Sequence, residues 1–305
     1  EAPDTVVVSH RDSDHSGGSA AVRAAWPQAR WLSSFDTDPA QRCAAGQSWT
    51  WDGVRFEVLH PTPELIRPDG TGLLPSNAMS CVLRVDNGRR SVWLSGDLDA
   101  ERETRLALAR PDLRADLLLA PHHGSASSSS PVLLNTLQPT WVLIQSGYRN
   151  RFHHPAPLVL ERYRERGLRW ANTPQCGAAT WRSSEPEGVH CERQARQRYW
   201  HHQRRNQRCA PVLEEGQHHE HGEDRAFDQG VQGGFVVAIG VEDGFIDQLD
   251  LHFGVLDAQG IQLGVDDFGN RNLRRAFGPE DGEGDDLFAV QPRKRAQFFI
   301  GVIDL

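Results

Sequence analysis

Thr5-Val6-Val7-Val8-Ser9-His10-Arg11-Asp12-Ser13-Asp14-His15-Ser16-Gly17-Gly18 decides how this chain is read. The valine run has the continuous apolar character of a buried strand. Two His and two Asp follow within six residues, and Gly17-Gly18 closes the segment. A strand end that runs into a tight glycine turn lets four side chains converge on one point. Imidazole and carboxylate are donors that Zn²⁺ and Mn²⁺ accept, at roughly 2.0–2.2 Å. A polar loop that happens to be rich in His and Asp is the weaker alternative, since chance seldom sets such a run between a Val-rich strand and Gly-Gly.

Two later segments repeat the arrangement. Leu94-Ser95-Gly96-Asp97 brings an Asp to the end of one apolar strand, and Ala120-Pro121-His122-His123-Gly124-Ser125 brings two His to the end of another. Either alone is weak, because an Asp after a strand is usually a turn or a cap. Three strand ends that deliver ligands in this order point to one metal site at a sheet edge. Around them, residues 49–59 read as a hairpin turning at Asp52-Gly53, and residues 81–85 and 91–94 pair around Asn87-Gly88. Asp99 caps a helix through about Ala109. Strands follow at 117–120 and 141–144, and helices start at Ser130-Pro131 and run over 157–166. Hairpins first and alternating strand and helix later suit a layered α/β fold on two sheets.

The 305 residues divide into two compositions. Residues 206–305 carry a net charge of −11, residues 1–205 a net of +3, and every Trp lies before position 201. The first part is expected to be the functional domain, and residues 206–305 an unassigned acidic, Gly-rich tail, disordered or foreign to it and dispensable. Strand patterns at 235–239 and 249–253 stand out in that tail, and His218-His219-Glu220-His221 reads as an adventitious metal binder. Lys294 is the one lysine among 33 basic residues, which reads as a coding bias before it reads as phosphate recognition. No apolar run is long enough to cross a bilayer, and no signal peptide opens the chain. The five cysteines lack C-x-x-C spacing, which excludes a zinc ribbon.

The motifs SHRDSDHSGG (9–18), CAAGQSWTWDGVRFEVLHP (43–61), SNAMSCVL (76–83), LSGD (94–97), APHHGSASSS (120–129), NRFHHP (150–155) and RYWHH (198–202) occur in order. In these the chain resembles the metallo-β-lactamase superfamily, and within it the C-terminal domain of the ComEC family of DNA-internalisation competence proteins. The resemblance runs from residue 4 to about 202. It implies a four-layer αββα fold. It also implies that His10 and Asp12 hold a first metal ion, Asp14 and His15 a second, and that Asp97 bridges them. One of His122 and His123 is the last ligand; His122 is preferred, with His123 facing the substrate. The sequence departs from the superfamily in Asp12, where a second His is usual, and in Ser76-Asn77-Ala78-Met79-Ser80, which lacks a His ligand. Those oxygen-rich replacements favour a harder ion, Mn²⁺ or Mg²⁺, over Zn²⁺.

By the same resemblance the expected activity is phosphodiester hydrolysis with two ions, Mn²⁺ or Zn²⁺, by a nuclease domain that degrades the non-transported strand of incoming DNA. Asp14, His123 and His154 are the candidate catalytic residues. Asn77, Ser125, Ser127, Ser128, Arg149, Asn150 and Arg151 are the candidate contacts to single-stranded DNA. The other implied partners are the membrane channel part of the parent protein and further competence proteins, with this domain on the extracytoplasmic side of the inner membrane. Competing expectations are an ester, thioester or lactam hydrolase, and a DNA-guiding module without catalysis. The resemblance also allows a Cys43–Cys81 disulfide, with two buried thiols as the alternative. Finally, a strand that starts by residue 5 suggests an N-terminally truncated fold whose first strand has an open edge.

Overall fold

A computed structural model describes residues 3–196, 233–241, 249–257 and 296–301. Its elements build two seven-stranded sheets. The chain begins with β1 (Thr5–Val8), two short helices α1 (Ser13–Ser16) and α2 (Ser19–Ala25), and β2 (Arg30–Ser33). The second sheet then forms in sequence order from β3 (Ser48–Trp51), β4 (Val54–His60), β5 (Val82–Asp86) and β6 (Ser91–Leu94), all antiparallel. After α3 (Ala100–Ala109) the pairing turns parallel through β7 (Leu117–Leu119), β8 (Trp141–Ile144) and β9 (Arg169–Asn172), with α4 (Pro131–Leu137) and α5 (Pro157–Glu165) as crossovers.

Local chemistry accounts for these boundaries. Asp52 and Gly53 both take positive φ (45° and 81°), as a two-residue hairpin loop between twisted strands requires. The Asp99 side chain accepts from the Arg102 N–H at the start of α3, and Ser130 accepts from Leu133 N–H at the start of α4. The parallel strands β7 and β8 are apolar throughout because both their faces are covered. Leu117 and Leu119 enter one core and Leu118 the other, as a period of two demands. Full burial of each such leucine is worth about 1.5–3 kcal/mol.

One core joins both sheets, with Val7, Leu32 and Trp181 meeting Phe56, Val85, Leu94 and Leu143. A second lies where Trp93, Leu118 and Val142 pack against Leu106 of α3, Leu133 and Leu137 of α4, and Tyr163 of α5. On the far side of β1, Val6, Val8 and Trp31 pack with Val22 of α2.

The first sheet also takes α6 (Thr173–Cys176) onward: β10 (Ala179–Arg182), β11 (Val189–Cys191), α7 (Glu192–Ala195), then β12 (Gly233–Val241), β13 (Leu249–Asp257) and β14 (Ala296–Gly301). Its order is β11-β10-β13-β12-β14-β1-β2. Two expectations therefore change. β1 has no open edge: Thr5 pairs with Arg30 on one side and with Phe298 on the other. The strand patterns at 235–239 and 249–253 are real, and β12–β14 lie between β1 and β10 instead of standing apart from the domain. The His218–His221 run and Cys209 lie outside the described residues.

Cys43 and Cys81 form a disulfide with their Cα atoms 6.1 Å apart. Cys176 and Cys191 form a second, at 4.5 Å, which the sequence reading did not anticipate. No helix among the described residues is long and apolar enough to cross a membrane.

Candidate metal centre

The polar residues singled out in the sequence meet where β1, β6, β7 and β8 end. From β1 the chain delivers Ser9 and His10, and the first turn of α1 then carries Asp14 and His15. Beyond β6, Gly96 has φ +51°, and a Cβ there would sit 2.8 Å from the Ser9 Cβ and 3.0 Å from the Ser80 Cβ. Only a residue without a side chain passes between those serines, and Asp97 is held next to it by its own N–H on Ser80 Oγ (3.0 Å). Past β7, His122 and His123 both adopt left-handed backbone, φ 49° and 55°, a conformation rarely taken outside glycine.

Asp97 is 3% exposed and turns one oxygen to each half of the cluster. Its Oδ1 lies 3.1 Å from His15 Nε2 and 3.5 Å from His123 Nε2. Its Oδ2 lies 3.6 Å from His122 Nε2 and 3.8 Å from His10 Nε2. Asp14 Oδ2 stands 3.5 Å from His15 Nε2 and 3.3 Å from His123 Nε2, while Asp12 Oδ2 is 3.7 Å from His10 Nε2. Asp14, His15, Asp97 and His123 each offer a donor atom, all within 4.8 Å of one another.

The rings are oriented from behind. His123 Nδ1 donates to the Gln145 carbonyl (3.0 Å), which turns Nε2 toward Asp14 and Asp97. Ser9 Oγ lies 3.0 Å from Nδ1 of both His10 and His15, so their Nε2 atoms also face inward. The His10 Nε2 is buried and has no hydrogen-bond partner among the described residues.

Electrostatics show a place that wants positive charge. Burial alone would raise the Asp97 carboxyl, but the imidazoles of His123, His15 and His10 outweigh it and hold Asp97 far below the usual carboxylate range. Asp14 is also lowered, because His123 and His15 overcome its burial. Burial would lower His123, yet Asp97 and Asp14 push it up to about 9. Burial and the neighbouring His15 bring His10 down to about 4, so this ring is a neutral donor at ordinary pH. A cation that replaces the His123 proton meets two carboxylates and several imidazole lone pairs, so these residues fit a divalent metal ion.

His123 belongs to the tight four-residue group, and His122 stands on the other oxygen of Asp97. His122 is the ligand expected from the sequence. Two consecutive left-handed residues turn both rings toward the cluster, which strict alternation along a strand would not do.

The candidate substrate contacts are placed less uniformly. Asn77 Nδ2 lies 3.4 Å from His122 Nε2, at the rim of the cluster. Arg149 and Arg151 are exposed in the loop after β8, their guanidiniums over the rings of Tyr148 (5.3 Å) and Phe152 (4.7 Å). His154 has its ring 5.9 Å from that of His122, and its Nδ1 is unpaired among the described residues. Asn150 is occupied in shaping this loop: its amide donates to the Gly147 and His154 carbonyls and its Oδ1 accepts from His154 N–H.

The serine run is a correction. Ser128 is fully buried, its hydroxyl donating to the carbonyls of Pro121 (2.7 Å) and Ser125 (2.9 Å), and Ser125 is also buried. Ser127 remains exposed. The N–H groups of Ser129 and Ser130 donate to the Glu103 carboxylate of α3 at 2.8 and 2.5 Å. The anion at the start of α4 is thus built in. Ser9, Ser80, Gln145 and Glu103 are the residues the sequence reading missed. Three of them act through a hydroxyl or a carbonyl that leaves no sequence signature.

No family model matches the chain. It is similar to Competence protein ComA of Neisseria gonorrhoeae, 37% identical over 176 residues, which is 57% of this chain and 24% of that protein. Recombination protein 2 of Haemophilus influenzae is 34% identical over 161 residues, covering 52% of this chain and 19% of that one. The chain therefore spans about a quarter or less of the length of these curated relatives. Among solved structures, CmlA, a diiron beta-hydroxylase from Streptomyces venezuelae, aligns at a TM-score of 0.38 and 10% identity over 56% of this chain and 44% of that one.

Proposed function

We propose that this chain carries a divalent-metal-dependent phosphodiesterase of the metallo-β-lactamase architecture, and that it is the nuclease domain of a DNA-uptake competence protein. The observation that carries this reading is the meeting of Asp14, His15, Asp97 and His123, with the unpaired His10 Nε2 beside Asp12 and Asp97. Helices packed outside two sheets that share a core support the helix-sheet-sheet-helix layering. The similarity to Competence protein ComA supports the role in DNA uptake.

In this reading His10, Asp12, Asp14, His15, Asp97, His122 and His123 would hold two divalent ions, Mn²⁺ or Zn²⁺. Bound there, the ions would supply Lewis-acid stabilisation of the charge that develops on phosphoryl oxygens. The protein's own groups do the rest. Arg149 and Arg151 neutralise phosphates of a single strand, and the exposed rings of Tyr148 and Phe152 offer surfaces to its bases. The unpaired Nδ1 of His154 is the candidate to hydrogen-bond the leaving oxygen. Two disulfides suit an oxidising, extracytoplasmic compartment, where the channel part of the parent protein and other competence proteins are the proposed neighbours.

The test incubates the purified chain with labelled single-stranded DNA in Mn²⁺, Zn²⁺ or EDTA. Metal-dependent cleavage that Asp97→Ala abolishes is the expected result. Binding without cleavage would make it a guiding module, and ester turnover without either would make it another hydrolase; both outcomes overturn the nuclease reading.

A further inference from the structure

We propose that a cavity beside the metal cluster is a second nucleotide subsite, which holds the phosphate and base next to the diester being cut. The proposal rests on the phosphodiesterase reading and extends it to a part of the molecule that no residue named so far for substrate occupies.

The cavity has a volume of about 320 Å³ and is lined by Arg11, Ser34, Phe35, Arg67, Thr71 and Ser76 among others. That volume is at the lower end of the ~300–1,000 Å³ typical of small-ligand pockets, room for one nucleotide unit. Its position is set by chain connectivity. Arg11 stands between His10 and Asp12, and Ser76 precedes Asn77, whose amide reaches to 3.4 Å from His122 Nε2. The cavity adjoins the cluster without containing any of its candidate ligands.

Its chemistry is that of a phosphate and a ring. Neither guanidinium has a carboxylate within 4 Å among the described residues. Arg67 spends Nη1 on Thr71 Oγ1 (3.3 Å) and the Gly72 carbonyl (2.7 Å), leaving its remaining N–H groups available. The acid close by, Asp69, is engaged by the N–H and hydroxyl of Thr71 at 2.8 and 2.7 Å. The Ser76 hydroxyl is buried and has no hydrogen-bond partner among the described residues, a donor without its acceptor. Two forked cations and a spare hydroxyl match phosphate oxygens. Phe35 is 40% exposed at the same opening, a ring on which a base can stack. Free phosphate would leave that ring idle, and an apolar ligand would leave both guanidiniums unpaired. A nucleotide of a single strand uses both.

The test measures fluorescence anisotropy of a labelled dinucleotide, tetranucleotide and octanucleotide of thymidine in EDTA, and hydrolysis of the octanucleotide and of bis(p-nitrophenyl) phosphate in Mn²⁺. Phe35→Ala and Arg67→Gln are each expected to weaken octanucleotide binding about tenfold and to raise its KM similarly. Turnover of the small diester, which carries no neighbouring nucleotide, should stay within about twofold. Phe35 is exposed enough that its replacement leaves folding intact, so that variant decides even if Arg67→Gln disturbs its loop. Unchanged octanucleotide binding in Phe35→Ala, or equal losses on octanucleotide and small diester, would overturn the subsite. So would thymidine monophosphate binding as tightly as the octanucleotide, which would mark an isolated mononucleotide site. If the wild type hydrolyses no phosphodiester at all, the proposed activity fails, and the binding comparison in EDTA still decides the subsite.

Discussion

Asp97 sets two oxygens against four imidazoles, His15 and His123 on Oδ1 and His10 and His122 on Oδ2. Asparagine keeps the shape but loses one anionic acceptor and presents an N–H₂ to two of those rings. Asp97→Asn should therefore cut the Mn²⁺ bound per chain by at least half, as read by metal analysis after dialysis; an unchanged content would remove Asp97 from the ligand set. The neighbouring histidines give a second expectation. His123→Ala should weaken Mn²⁺ binding at least tenfold more than His122→Ala in calorimetric titration, because His123 shares its position with Asp14 and His15. The reverse order would restore His122 as the stronger ligand. His10, Asp12, Asp14, His15 and Asp97 were legible in the sequence because each follows an apolar strand, where a polar run has little structural reason to be. The choice within His122-His123 was not legible, since it depends on a pair of left-handed φ values. Nor was the burial of Ser128, whose partners are backbone carbonyls.

At the scale of elements, α3 and α4 are joined through Glu103, which is 1% exposed and accepts from the Ser129 and Ser130 N–H groups that lead into α4. The Ser129 hydroxyl meets the Tyr163 phenol of α5 (2.6 Å), so three helices are tied at one point. Burial pushes the Glu103 carboxyl up to about 7 against the two N–H donors that oppose the shift. The folded protein then keeps this proton to a higher pH than the unfolded chain does. Its contribution is complete below about pH 4.5 and is lost as the pH rises to about 7, a change of up to roughly 3 kcal/mol. Melting temperatures of wild type and Glu103→Gln, measured in EDTA across that range, should diverge, with the wild type falling more steeply. Parallel curves would mean that Glu103 is ionised throughout. His123, raised to about 9, adds a slope of the same sign above about pH 6.5, but it is common to both proteins and cancels in the difference. The helices themselves were readable from Asp99, Ser130 and Pro131 because caps act locally. The partner of Glu103 lies 26 residues away, and no spacing rule reaches that far.

At the scale of the whole molecule, three of the seven strands of the first sheet come from residues 206–305. Composition argued for leaving that segment out, since it is acidic and contributes no candidate ligand. Backbone pairing argues for keeping it. β14 pairs with β1 in parallel over Thr5 to Val7, and β13 pairs with β10 over Ala179 to Arg182. Composition could not reveal this, because a strand edge is completed by N–H and C=O groups that every residue carries. A chain ending at residue 205 would leave β1 paired with β2 alone and would free the main-chain groups now met by β14, an arrangement that invites association or local opening. The ligand segment His10–His15 continues directly from β1, so loss of order there must reach the metal cluster. The shortened chain is therefore expected to melt several degrees lower than the full chain and to bind Mn²⁺ more weakly, with His10 and Asp12 affected first. Light scattering should also show more self-association, as the exposed edge finds a second copy. Equal melting temperature, equal Mn²⁺ affinity and a monomeric shortened chain would together show that β1 holds its position without β14, and that residues 206–305 are dispensable after all.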